Sequence, residues 1–375
     1  MKARLLTLII IVLLAACQTT TPTIPPSPQP GATSTPEVSE TKPTQISDPI
    51  VLALELADKA AAGEKVSFSG GNSDKTIAVV MPALDNDGWR AIYIGVLSEV
   101  IKQGVNLITL DARNSVETQM AIIEDLITQK VDAIVFVPVD SAALSTSVQL
   151  ANQAGIPVVT MDRSTKGGEV VALIESDNVK IGAKGAELMA AVAEKYDVPL
   201  SELKVLELLG DLATSAGQER HQGFSTKAKE LGLNVVAELP TYWSAEKANA
   251  AILDAFQAYP DINAIYIASG CALFAGVDSA MESLGKWKPA GHEDRIIFIS
   301  TDGCPAPLQA IREGKVDADS AQQLITMGQT AIEVTVNYLN GIMPEAPIIR
   351  LPPDPITPEN VDDISHWANA VNTSR

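Results

Sequence analysis

Residues 132–163 read "DAIVFVPVDSAALSTSVQLANQAGIPVVTMDR". Two apolar runs of strand length, 132–139 and 156–161, flank a segment long enough for a helix. Neither run alternates apolar with polar residues, which is the pattern of parallel strands covered on both faces. Asp140 stands where it can cap the intervening helix. Asp162 and Arg163 follow the second strand directly. A charged pair in that place has three readings: a helix cap, a structural salt bridge, or a clamp on a polar ligand.

The same unit repeats on both sides. Strand-length apolar runs recur as "TIAVVM", "VNLITL", "VVALIE", "LKVLELL", "LNVVAEL", "INAIYIA" and "RIIFIS". Helix-length segments separate most of them, and in 116–129 the residues Val116, Met120, Ile123 and Ile127 fall on one helical face. Repeated strand–helix–strand units imply α/β architecture with parallel, doubly wound sheets. The strands are too many for one small sheet, so two similar Rossmann-like lobes are expected.

In such sheets ligands bind beyond the carboxyl ends of the strands. Those positions carry Asn86 and Trp89, Asp140, Asp162 and Arg163, then Gln218, Trp243, Ser269 and Asp302. Carboxylates and amides hydrogen-bond adjacent hydroxyls, an arginine fork donates to two oxygens, and flat rings cover C–H faces. A sugar presents all of these surfaces. Taken singly, an Asp or Asn after a strand is as readily a helix cap, the reading that fits Asp140, and a strand-end Trp is as readily packing.

The N-terminus is not part of this fold. Lys2 and Arg4 precede "LLTLIIIVLL", a charged segment and an apolar run too short to span a bilayer comfortably, which together read as an export signal. "LAAC", ending at Cys17, resembles the lipobox of bacterial lipoproteins. That resemblance implies cleavage before Cys17, lipid on its sulfur, and an extracytoplasmic chain held at a bacterial membrane by that anchor alone. Residues 18–45 are rich in Pro, Thr and Ser and cannot bury enough apolar surface to order themselves. The expected organisation is a signal peptide over 1–16 and a tether over 17–74, with a short helix possible near 50–62.

The chain has 375 residues and a formal charge of −19. That charge argues against nucleic acid as a partner. Three histidines, at 221, 292 and 366, lack metal-ligand spacing, and no phosphate loop, dinucleotide fingerprint or nucleophile elbow is present. No metal, cofactor or enzymatic activity is expected.

From about residue 75 to 350 the chain resembles the ribose-binding-protein class of periplasmic sugar-binding proteins, those with the type I fold. "MPALDNDGW" (81–89), "VTMDRSTKGGEVVALIESDNVKIG" (159–182), "LATSAGQERHQGF" (212–224) and "STDGCPAPLQAIREGKVDADSAQQ" (300–323) carry the resemblance in order and spacing. It implies two lobes joined by three crossings near Asp177, Gln323 and Leu351. The first lobe would comprise 75–176 and 323–350, and the second 177–322 and 351–375. It also implies sugar contacts at Asn86, Trp89, Asp162, Arg163, Trp243, Asp302 and Gln322, so Asp162–Arg163 becomes a clamp, with a structural ion pair as the alternative. A monomer that hands a monosaccharide or polyol to an ABC permease is the implied role. Its rivals are a sugar-sensing receptor component and an exported carbohydrate-active enzyme.

The chain departs from the family pattern twice. Gln218 stands where family members use an arginine, and Ser269-Gly270-Cys271 replaces an Asn-Asp pair. Both departures put ribose itself in doubt as ligand. Cys271 and Cys304 follow strands consecutive in sequence, in a compartment that permits disulfides. A bond between them is expected; two separately buried thiols are the alternative.

Overall fold

The structure is a computed structural model that describes residues 49–71, 74–289 and 292–372. The export signal, Cys17 and the Pro/Thr/Ser-rich segment lie outside the described residues.

In chain order the first half comprises α1 (Pro49–Ala61), β1 (Ser67–Phe68), β2 (Thr76–Met81), α2 (Asp87–Gln103), β3 (Asn106–Asp111), α3 (Val116–Gln129), β4 (Ala133–Phe136), α4 (Ser145–Gln153), β5 (Val158–Met161) and β6 (Ala172–Ser176). The second half begins with α5 (Asn178–Lys195), β7 (Val205–Leu209), α6 (Ser215–Leu231), β8 (Val235–Pro240) and α7 (Ala245–Ala258). It continues through β9 (Ala264–Ile267), α8 (Gly270–Ser283), β10 (Ile297–Asp302), α9 (Pro305–Arg312) and β11 (Ala318–Ala321). The chain ends with α10 (Leu324–Leu339), β12 (Ile348–Leu351), β13 (Asp354–Ile356) and α11 (Trp367–Asn372).

The strands form two sheets, ordered β1-β3-β2-β4-β5-β6-β12 and β13-β11-β10-β9-β7-β8. Each is parallel except at one edge, where β1 runs antiparallel to β3 and β13 antiparallel to β11. Within each sheet five consecutive strands follow the doubly wound order 2-1-3-4-5: β3-β2-β4-β5-β6 and β8-β7-β9-β10-β11. The order reverses beside β2 in the first lobe and beside β7 in the second, and a crevice opens at such a switch point. Ile77, Val79, Leu206 and Leu208 lie wholly buried under the helices, as the unbroken apolar runs require.

Each lobe also packs a helix pair backbone to backbone through glycine. A Cβ on Gly95 of α2 would strike the carbonyl of Ile325 in α10, and one on Gly182 of α5 the carbonyl of Arg220 in α6. The second contact fixes how closely α6, which carries Arg220, approaches the rest of its lobe.

The chain passes between the sheets three times: after β6, after β11 and after β12. The crossings are bonded to one another. Ser176 Oγ donates to Gln322 Oε1 at 2.7 Å, Asp177 N to the Leu351 carbonyl at 2.8 Å, and Gln323 Nε2 to the Pro352 carbonyl at 3.0 Å.

The segment read as tether is not free of structure from Pro49 onward. Helix α1 buries Ala53, Ala57 and Ala60 and packs on α2, where Asp58 pairs with the buried Arg90. The helix after Asp140 also starts later than its sequence suggests. Asp140 Oδ1 accepts from Ala142 N and Ala143 N, and a turn separates that cap from α4.

Candidate functional site

The carboxyl end of β10 closes on Asp302, whose backbone takes φ +87°, outside the range ordinary L residues favour. The residue is held there from both sides. Its carbonyl accepts from Trp367 Nε1 at 2.7 Å, and the following Gly303 N donates to Asp319 Oδ1 at 2.8 Å. Strain of this kind persists only where surroundings over-determine it.

The Asp302 carboxylate gathers three protein donors. Oδ1 accepts from Arg220 NH1 at 2.7 Å and from Gln322 Nε2 at 2.9 Å, and Oδ2 accepts from Ser269 Oγ at 2.5 Å. A carboxylate has about four lone-pair sites, so one remains for a ligand. Arg220 is itself spoken for, with Nε on Asn178 Oδ1 and NH1 also on the Ala268 carbonyl. The Arg220 and Asp302 side chains are only 6% and 7% exposed, and such a pair needs further hydrogen bonds around it, which Asn178, Ala268, Ser269 and Gln322 supply. Through Gln322 the cluster reaches Ser176 and hence the crossings.

The first lobe presents a second cluster. Asn86 caps α2, its Oδ1 accepting from Gly88 N and Trp89 N, which leaves its amide N–H groups for a ligand. Arg163 lies over the Trp89 ring, 5.4 Å from its centre, and its Nε donates to Asp162 Oδ2 at 3.1 Å. Asp162 takes φ +62°. The Arg163 side chain is 45% exposed and that of Asp162 27%, so this pair can still turn its polar edges outward.

Two of the sequence-derived positions stand apart from these clusters. Gln218 Nε2, in the first turn of α6, donates back to the Leu212 carbonyl of the preceding loop at 2.7 Å. Trp243 lies against Gly210 at the end of β7, where a Cβ would occupy the ring's place. Tyr242 and Trp243 both have positive φ, so the turn that aims the indole is itself strained. Cys271 and Cys304 are joined in a disulfide with a Cα–Cα distance of 5.4 Å. It ties the first turn of α8 to the cap of α9, immediately behind Ser269 and Asp302.

Arg220, Asn178 and Ser176 were not singled out from the sequence. For Arg220 a signal existed: it interrupts the buried stripe of Gly217, Phe224 and Ala228 on α6. An arginine in such a stripe requires a buried acid nearby.

A periplasmic binding protein domain matches residues 77–342. The ribose import binding protein of Bacillus subtilis (strain 168) is 36% identical over 278 residues, which covers 74% of this chain and 86% of that protein. Among solved structures, a periplasmic ribose ABC transporter protein from Conexibacter woesei DSM 14684 superposes with TM-score 0.68 at 20% identity, covering 77% of this chain and 94% of that one. An ABC transporter solute binding protein from Bacillus halodurans C-125, solved with bound myo-inositol, gives TM-score 0.60 at 26% identity, covering 79% and 98%.

Proposed function

Because this chain belongs to the periplasmic binding protein domain family, we propose that it captures a monosaccharide or related polyol between its lobes and delivers it to an ABC importer. The family is one of binding proteins and not of enzymes. Its relatives named above are a ribose import binding protein and a protein holding myo-inositol. The proposed lobes are 75–176 with 323–350 and 177–322 with 351–375.

One observation carries the reading: each lobe's carboxyl edge bears a polar cluster suited to hydroxyl groups. In the first lobe Asn86, Trp89, Asp162 and Arg163 offer an amide, a ring face, a carboxylate and a guanidinium. In the second, Ser269, Asp302 and Gln322 offer a small set already fixed by Arg220; Trp243 and Gln218, which stand apart from that set, are proposed to meet the ligand from the neighbouring strand ends. The occupied state of Asp302 and Arg220 narrows what the second lobe can read. Ring faces and first-lobe donors would then contribute a larger share of recognition.

Cys17 would carry the lipid anchor, and residues 18–48 the reach from the membrane. Among the described residues no helix is long and apolar enough to cross a bilayer.

The test is a thermal-shift screen of the full chain against aldopentoses, aldohexoses, cyclitols and nucleosides. A rise in melting temperature with one or more sugars or polyols, saturating at one ligand per chain, is expected. Stabilisation by nucleosides alone, or by none of them, contradicts the reading.

A further inference from the structure

Glu207 sits in the middle of β7, two residues before the strand ends at Leu209, and is fully buried. Its Oε1 lies 3.1 Å from His221 Nδ1 of α6. Its Oε2 is equally buried and has no hydrogen-bond partner among the described residues. Glu238 is its register partner on β8, and in a parallel pair such neighbours project from the same side of the sheet. Like charges directly opposite one another repel. One donor atom from each of Glu207, His221 and Glu238 lies within 4.8 Å of the others.

A buried carboxylate needs a proton or a compensating cation. Of the two carboxylates Glu207 is the buried one, and Glu238 is exposed to solvent. A divalent ion would compensate Glu207 and engage Glu238 and the imidazole nitrogen as well.

We propose that Glu207, His221 and Glu238 form a binding site for a divalent ion of the zinc class, which fastens α6 to the edge of the second sheet. One imidazole nitrogen with two carboxylates is a donor set for zinc and its neighbours, whereas calcium and magnesium favour oxygen throughout. The 3.1 Å between His221 and Glu207 is close to the roughly 3.3 Å edge of a tetrahedron with metal–ligand arms of about 2.0–2.1 Å. His221 is half-buried and Glu238 exposed, so both can close on an ion that the fixed Glu207 anchors. Glu238 also lines a surface groove, together with Ser225, Lys229, Asn234 and Val235. The three residues are far apart in sequence, at 207, 221 and 238, which is why spacing gave no sign of a metal site. The ion would be structural: His221 follows Arg220 directly, so it would help hold the helix that aims Arg220 at Asp302.

The experiment uses the full chain, stripped with chelator and kept oxidised so that Cys271 and Cys304 stay bonded. Zinc chloride is titrated calorimetrically into wild type, His221→Ala and Glu238→Gln, and zinc K-edge absorption reports the ligands. The expected result is tight uptake with one imidazole in the shell, weakened at least about tenfold in each variant. Zinc should also raise the melting temperature of wild type and not of the variants. Glu238 is exposed, so Glu238→Gln keeps the test valid if His221→Ala folds poorly. Zinc held by Cys17 persists in the variants and drops out of the comparison. Equal affinity and number of ions in wild type and both variants overturns the proposal, as does no uptake by wild type. Preference for calcium or magnesium at these residues overturns it too.

Discussion

At the scale of single residues, the acids after the strands separate into caps, anchors and free edges. Asp140 spends its Oδ1 on two backbone N–H groups, which lower its pKa. Asp162 keeps a partly exposed carboxylate that pairs with Arg163. Asp162→Ala is therefore expected to weaken sugar binding more than Asp140→Ala does, by about 1–3 kcal/mol for groups left unpaired. Titration calorimetry on both variants checks the order, and a larger loss for Asp140→Ala reverses it. Beneath the second cluster, burial, reinforced by the charge of Asp302, holds the Asp319 carboxyl up at about 7. An unfolded aspartate titrates near 3.9, so the folded chain binds this proton more tightly. The group's stability contribution is then present below about pH 4 and is lost as pH rises through about 7. Asp319→Asn imitates the protonated side chain. Urea midpoints between about pH 5 and about pH 7.5 should fall less in that variant than in wild type. Equal falls would mean that Asp319 ionises normally in the fold.

At the scale of elements, the disulfide links two loops that the cleft depends on. The bonded cysteines are 33 residues apart, and closing a loop of that length stabilises by about 3–4 kcal/mol in the chain-entropy model. Cys271→Ala with Cys304→Ala should lower urea stability by about that amount; a change below about 1 kcal/mol would show that the α8 and α9 starts are held without it. Nine strands were legible because each is an apolar run bounded by polar turns. Four others were not, for separate reasons. Strand β11 reads "ADSA" and is buried without a single bulky apolar residue, its Asp319 bonded inward to Gly303. Strands β12 and β13 are short edge pieces flanking Pro352 and Pro353, and β1 is two residues long. The positions after the strands were legible, but their bonds were not. Nothing local to Gln218 reveals that it folds back on Leu212, and the pairing of Arg220 with Asp302 joins residues 82 apart.

At the scale of the whole molecule, the hydrogen bonds among the three crossings connect directly to the second cluster through Ser176, Gln322 and Asp302. A ligand that rearranges Gln322 would therefore act on the crossings as well. Periplasmic binding proteins are known to close about a hinge on their ligands, and the crossings at Asp177, Gln323 and Leu351 are the proposed hinge here. Small-angle X-ray scattering should show a smaller radius of gyration with saturating sugar; an unchanged profile would contradict closure. The central claim is that one sugar is held by both lobes at once. Titration calorimetry with the sugar or polyol found by the screen tests it directly, using Trp89→Ala in the first lobe and Gln322→Ala in the second. The account predicts that each variant weakens binding of the same ligand by at least about tenfold, as expected for a lost ring contact or buried amide bond. Wild-type affinity in either variant would place the sugar on one lobe alone and contradict it.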